Sequence, residues 1–239
     1  MPQPRCRIFA GPNGSGKTTF YESLRNSDII HTEIYVNADK IEELIKSTGS
    51  FNFNAYRVKS NQTDFHNHIL SSGLYKIKIN DTNVLRSFIL KSRILTIQSS
   101  SINSYHASFI ATYLLECLLE TKQSFCFETV LSHPDKIKYL KMATAYDYKT
   151  YLYYLYTSNE IINIERVAHR VKQGRHFVDP ELIKQRFFRS LNLLKKLMKA
   201  TSTVYLIDNS MNHLVIVYCR KDSRILIDNT EHNFIKKYL

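Results

Sequence analysis

The nine residues Gly11-Pro12-Asn13-Gly14-Ser15-Gly16-Lys17-Thr18-Thr19 constrain this chain more than any other feature. They form a complete G-x-x-x-x-G-K-T, entered from the short apolar run Arg7-Ile8-Phe9-Ala10 and left through a helical stretch of about Lys17 to Arg25. In this strand–loop–helix setting the glycines let the backbone curl until consecutive N–H groups point inward at phosphate oxygens, and the helix adds its positive end. Gly11, Asn13, Gly14, Ser15, Gly16, Lys17, Thr18 and Thr19 are therefore expected to form a nucleotide-binding loop. Lys17 is expected to reach the β- and γ-phosphates, and the Thr18 hydroxyl to ligate Mg²⁺.

The rest of the chain narrows the class. No L-S-G-G-Q signature and no apolar strand ending in Asp-Glu argues for a transporter-type ATPase, and no N-K-x-D argues for a GTPase. Small P-loop kinases remain, which bind an acceptor beside the γ-phosphate under a lid of arginines. The expected fold is α/β: a mainly parallel P-loop NTPase-type sheet flanked by helices, with an inserted subdomain and a C-terminal β-hairpin around Lys221-Asp222-Ser223. Residues 1–239 read as a single kinase domain, and 49–104, rich in Asn and Ser, as an insertion that forms a small β-rich flap or covers the acceptor.

Individual positions stand out against this frame. Asp39 follows the strand Glu33-Ile34-Tyr35-Val36, where open α/β sheets collect ligand-binding groups; it reads equally as a general base or as part of an Asn-Ala-Asp helix cap. Glu128 ends the apolar strand Ser124-Phe125-Cys126-Phe127 and, with Thr129 beside it, suits a substrate hydroxyl or a metal-bound water. Ser132 and Asp135 have capping-box-like spacing for the next helix. Arg166 and Arg170 are four apart and share a helical face between the cap Asn159 and the terminator Gly174. Arg175 and His176 follow, then a long helix bearing Arg186 and Arg189. That density of arginine reads as a kinase lid, with a solvated or nucleic-acid-binding basic face as the alternative. His66-x-His68 lacks a third ligand nearby and reads as two ordinary surface histidines.

Lys and Arg number 33 against 21 Asp and Glu, a formal +12 that predicts an anionic partner: nucleic acid, a membrane surface or a phosphorylated small molecule. Six tyrosines between Tyr146 and Tyr156 read as core, with a base-stacking surface as the second possibility. Cys6, Cys117, Cys126 and Cys219 have no CxxC pairing and read as buried reduced thiols. Without a signal-peptide stretch or a membrane-length apolar run, the expected location is the cytoplasm.

G-P-N-G-S-G-K-T-T at Gly11, N-A-D at Asn37, F-E-T at Phe127, R-V-x-x-R-V-x-x-G-x-H from Arg166 to His176 and D-N-S at Asp208 occur in that order. Together they resemble the zeta toxin family of P-loop kinases, particularly its chromosomal zeta-like branch, over most of the chain except about 49–104. The resemblance implies phosphorylation of a nucleotide sugar, UDP-N-acetylglucosamine, with ATP or GTP and Mg²⁺, and restraint by a small helical antitoxin. It matches the catalytic lysine and the Mg²⁺ hydroxyl to Lys17 and Thr18, the catalytic aspartate to Asp39, and the substrate-gripping glutamate to Glu128 with Thr129 alongside. The first of two phosphate-binding arginines matches Arg166, with Arg170 as the competing alignment; the second falls at Arg175 or His176. The alternative reading is a nucleic-acid-binding P-loop ATPase or polynucleotide kinase, with a groove made by the insertion and the tyrosines.

Overall fold

The computed structural model describes residues 3–32, 34–79, 81–99, 101–174, 177–211 and 213–239. The chain divides into two compact units, Met1–Glu33 with Ser124–Leu239 and Ile34–Gln123.

The first unit opens with β1 (Arg5–Ala10), buried at every residue after Arg5, and α1 (Lys17–Asn26), which starts directly at the end of the glycine loop. Continuous burial is what a parallel strand covered on both faces requires.

The second unit follows with β2 (Tyr35–Val36), α2 (Ala38–Thr48), β3 (Ser50–Asn52), α3 (Gln62–Ser71), α4 (Thr82–Arg86), β4 (Phe88–Lys91), β5 (Ile94–Ile97) and α5 (Ser104–Thr121). Its three-stranded antiparallel sheet runs β3-β5-β4. The stretch 49–104 lies inside this unit, which also takes in α2 and α5. Its asparagines are structural punctuation: Asn52, Asn61 and Asn103 each accept a backbone N–H at the start of a helical segment. The buried face of α3 is only Phe65, His68 and Ile69, one of them polar, so its helical period was hidden in the composition. Phe53, Phe65 and Phe88 meet edge to face, with Tyr113 of α5 5.1 Å from Phe65 and 5.6 Å from Phe53, and form an aromatic core. His68 is buried in that packing, its Nδ1 2.7 Å from Glu116 Oε2 and its Nε2 2.8 Å from Thr112 Oγ1, while His66 meets Gln62. His68 is therefore a core histidine with both ring nitrogens satisfied, not the surface residue expected, and no group of three metal-ligating side chains occurs among the described residues.

The chain returns to the first unit through β6 (Phe125–Thr129), α6 (Asp135–Ala145), β7 (Lys149–Tyr156), α7 (Glu160–Lys172), α8 (Pro180–Lys199), β8 (Thr203–Asp208), β9 (Val215–Lys221) and β10 (Arg224–Asp228). The departure and return points are joined: Thr32 Oγ1 donates to the Ser124 carbonyl at 2.6 Å. Six strands of this unit lie in the order β10-β9-β8-β7-β1-β6. β6, β1, β7 and β8 are mutually parallel, and β9 and β10 add the antiparallel C-terminal hairpin.

The tyrosine-rich strand is core. Tyr153 stacks on Phe9 at 5.0 Å and on Tyr205 at 5.1 Å, a ladder of ring faces across β1, β7 and β8 at matched register. Burial pushes the Tyr153 hydroxyl up to about 12. Tyr154 donates to or accepts from Ser190 of α8 at 2.9 Å, which pins that helix to the sheet. All four cysteines are buried and unpaired.

One local expectation fails. Ser132 does not cap α6: Pro134 occupies the cap position with no side-chain bond, and the Asp135 N–H is met at 3.3 Å by the His133 ring. Among the described residues no helix is long and apolar enough to cross a membrane.

Candidate active site

The loop between β1 and α1 sits where the sheet changes direction of winding. β6 lies on one side of β1 and β7 on the other, so a crevice opens at the carboxyl ends of the strands. Register places Glu128 opposite Phe9 and Thr129 opposite Ala10, at the mouth of the loop.

Lys17 is buried, and its Nζ donates to the Pro12 carbonyl at 2.8 Å and stands 3.8 Å from Glu128 Oε1. Thr18 Oγ1 donates to the other carboxylate oxygen, Oε2, at 2.8 Å. One carboxylate therefore spans the two side chains read as the phosphate lysine and the metal hydroxyl. Thr129 does different work: its carbonyl accepts from Gly11 N at 3.3 Å, and its hydroxyl accepts from Leu131 N at 3.1 Å. Thr19 is exposed on α1, and Ser15 Oγ is buried with no hydrogen-bond partner among the described residues.

Two asparagines hold the loop from outside. Asn163, fully buried in α7, donates from Nδ2 to the Asn13 carbonyl and accepts from Thr157 Oγ1. Asn209, just past β8, donates to the Ser15 carbonyl at 2.9 Å, and its own N–H is fixed by the Tyr156 carbonyl at 2.8 Å. These contacts close tightly on the backbone. Gly14 has φ +77°, and a Cβ there would lie 2.6 Å from the Asn163 carbonyl oxygen. Gly14→Ala is expected to push the loop off Asn163 and to weaken nucleotide binding at least about a hundredfold, measured by titration calorimetry, because clash and left-handed strain coincide. Unchanged affinity would show that the loop tolerates the shift.

The arginines divide sharply. Arg166 is half-buried, with Nη1 donating to the Asn209 carbonyl at 2.8 Å and Nη2 3.5 Å from the Met211 carbonyl, so it grips the segment that itself grips Ser15. Arg170 and Arg189 are exposed, and Arg175 and His176 lie outside the described residues. Arg186 is half-buried on α8, its Nη1 3.5 Å from Asn13 Oδ1. Asp39 belongs to the second unit, at the second position of α2, exposed; Asn37 caps that helix, its side chain accepting from Asp39 N at 2.8 Å and Lys40 N at 3.3 Å.

Asn163 escaped the reading of the sequence, and Arg186 was named there only as one of the lid arginines. A fully buried Asn in a helix is disfavoured unless its amide is satisfied, so Asn163 among Ile161, Ile162 and Ile164 was a signal. Arg186 lies three after Ile183 and four before Ser190, both buried, on the helix's inner side.

A family model described as Zeta toxin matches residues 92–232. Among solved structures, the fold is similar to a chain of the AvrRxo1-ORF1:AvrRxo1-ORF2 complex with sulphate ions, with TM-score 0.60 and 14% identity over 96% of this chain and 62% of that one. The same complex with ATP gives TM-score 0.58 at 14% identity, again over 96% and 62%. A chain from the PezAT chromosomal toxin-antitoxin system of Streptococcus pneumoniae gives 0.52 at 12% identity, over 90% of this chain and 71% of that one. At these identities the likeness is one of fold, and this chain spans 62% of the length of the first structure. The comparison with curated proteins found no match.

Proposed function

The chain belongs to the zeta toxin family, and from that premise we propose that it is a P-loop kinase moving the γ-phosphoryl group of ATP or GTP onto a hydroxyl of a nucleotide sugar such as UDP-N-acetylglucosamine. The observation that carries this reading is the Lys17–Glu128–Thr18 arrangement at the mouth of a glycine loop. A loop pinned by two asparagines, with a buried hydroxyl on Ser15 that has no partner among the described residues, suits a phosphate chain.

The roles follow from the groups present. Loop N–H groups and Lys17 bind the phosphates, and Thr18 with Glu128 would hold Mg²⁺, which supplies charge neutralisation to the phosphate chain when bound. Asp39 accepts the proton of the acceptor hydroxyl, and its carboxylate is not used up in capping because Asn37 does that. Thr129 shapes the loop edge near the acceptor. Arg166 acts through the segment 209–211, and the lid is completed by Arg189 and the connection bearing Arg175 and His176. A small helical antitoxin is the proposed protein partner, supported by a toxin-antitoxin system among the fold neighbours. The nucleic-acid alternative loses its stacking surface, since the strand tyrosines Tyr153, Tyr154 and Tyr156 are core.

Incubation with labelled ATP or GTP and a panel of nucleotide sugars, read by mass spectrometry, tests the reading. A sugar that gains one phosphoryl group is expected; nucleotide binding with no transfer to any hydroxyl acceptor, alongside salt-sensitive oligonucleotide binding, would reject it. Within this reading, Arg166→Ala should slow turnover about thirtyfold, roughly 2 kcal/mol of transition-state stabilisation. Arg170→Ala, losing an exposed side chain, should change it less than threefold. Equal losses would place both arginines on the phosphates.

A further inference from the structure

We propose that Asp208 and Asn233 are positioning residues that set the phosphate-binding loop through the segment 209–211, a role that rests on the kinase reading of that loop.

The segment matters because it braces the loop from outside. Asn209 Nδ2 donates to the Ser15 carbonyl at 2.9 Å, and Gly16 leaves no room for a Cβ beside that amide. The Asn209 backbone is held at both ends: its N–H donates to the Tyr156 carbonyl at 2.8 Å, and its carbonyl accepts from Arg166 at 2.8 Å. Asp208, at the end of β8, closes the turn around it. One carboxylate oxygen, Oδ1, accepts the Ser210 N–H at 2.8 Å and also the Ser210 hydroxyl, which itself accepts from Ser158 N at 2.8 Å. The other, Oδ2, accepts from Asn233 Nδ2 at 3.0 Å.

The amide of Asn233 has one orientation that satisfies its neighbours. Its Oδ1 accepts the Tyr156 hydroxyl at 2.7 Å and the Ile235 N–H at 3.0 Å, so Nδ2 is the end turned to Asp208. Tyr156 therefore serves twice. Its carbonyl holds Asn209, and its hydroxyl holds the residue that holds Asp208, which closes a circuit of hydrogen bonds behind the loop. The far side of the circuit is anchored as well: Asn233 N donates to the Thr230 carbonyl at 2.9 Å, Thr230 and Ile235 are buried, and Phe234 packs on Phe187 of α8 at 6.1 Å. A side chain locked by its own partners is what holds a binding group in place. The segment after the C-terminal hairpin thus reaches the phosphate loop in three steps, Asn233 to Asp208, Asp208 to the turn at Asn209, and Asn209 to Ser15.

The test is binding of Mg·ATP and Mg·ADP to the full chain, by titration calorimetry well below the melting temperature. Asp208→Asn turns an amide N–H toward either Ser210 N–H or Asn233 Nδ2, a donor facing a donor, and Asn233→Asp sets two carboxylates face to face. Each should weaken both nucleotides alike, about tenfold, because the loop they share is displaced. The exchange Asp208→Asn with Asn233→Asp gives every acceptor a donor again and should bring affinity back to within about threefold of wild type. Asn233→Ala, which only deletes a half-buried amide, should show the same common loss, about fivefold, and serves if Asp208→Asn does not fold. Single variants that melt lower yet bind both nucleotides like the wild type would make the pair merely structural and overturn the proposal. So would a folded double variant that binds no better than the singles, or a loss confined to ATP. Wild-type protein that bound neither nucleotide would instead defeat the kinase reading itself, so the two failures are told apart.

Discussion

Lys17→Ala is expected to abolish phosphoryl transfer while the protein stays folded. The lysine is buried and salt-bridged to Glu128, so a structural contribution has to be separated from a chemical one. The ammonium gives the loop one bond, to the Pro12 carbonyl at 2.8 Å. The remaining geometry is set by the glycines and by the Asn163 and Asn209 contacts to the Asn13 and Ser15 carbonyls, none of which involves the Lys17 side chain. Glu128 keeps Thr18 as a donor at 2.8 Å. What disappears is the positive charge that meets the β- and γ-phosphates, and removing one preorganised donor of this kind costs about a hundred- to a thousandfold in rate. Activity is measured by the transfer assay and folding by thermal melting monitored by circular dichroism. A variant that melts normally and transfers phosphoryl at the wild-type rate would sink the assignment of the loop.

Asp39→Asn is expected to separate binding from chemistry. Asn37 already caps α2, so the substitution leaves the helix start intact, and asparagine preserves shape while losing basicity. Nucleotide affinity should stay within about threefold while turnover falls about a hundredfold or more, the scale of a lost general base. Asn37→Ala is the structural counterpart: it removes the cap and should lower stability by about 1 kcal/mol. Turnover unchanged in Asp39→Asn would leave that residue with no chemical part.

Legibility in the sequence followed the range of the interactions. The glycine loop was readable because all its determinants are consecutive, and Glu128 because a carboxylate ending an apolar strand has no local excuse. The parallel sheet and the C-terminal hairpin followed from apolar runs and turn residues. Asn163 and Asn209 reach the loop across 150 and 194 residues of chain. The isoleucines around Asn163 mark it as an amide in need of a partner, but nothing beside either asparagine says that the partner is so distant. Among the arginines, exposure decides, and exposure depends on which side of α7 and α8 docks. Ile183, Phe187, Ser190 and Leu194 mark the docked side of α8 and put Arg186 at its border and Arg189 away from it. In the asparagine-rich stretch the sheet β3-β5-β4 matches a β-rich reading, while the helices α3 and α4 went unread for the opposite reason. Their signals were local caps on segments whose apolar period was too weak to register, and they looked like disorder of pattern.

The hydrogen bond from Thr32 to Ser124 ties together the two points at which the chain leaves and re-enters the first unit. Every phosphate-handling group proposed above sits on one unit, and the proposed proton acceptor on the other. Because the two ends already meet, the intervening ninety or so residues behave thermodynamically as one closed loop, whose closure entropy grows only by about 0.6 kcal/mol per doubling of length. The part of that stretch beyond α2, which carries none of the groups proposed for the chemistry, can therefore lengthen or shrink at small entropic cost.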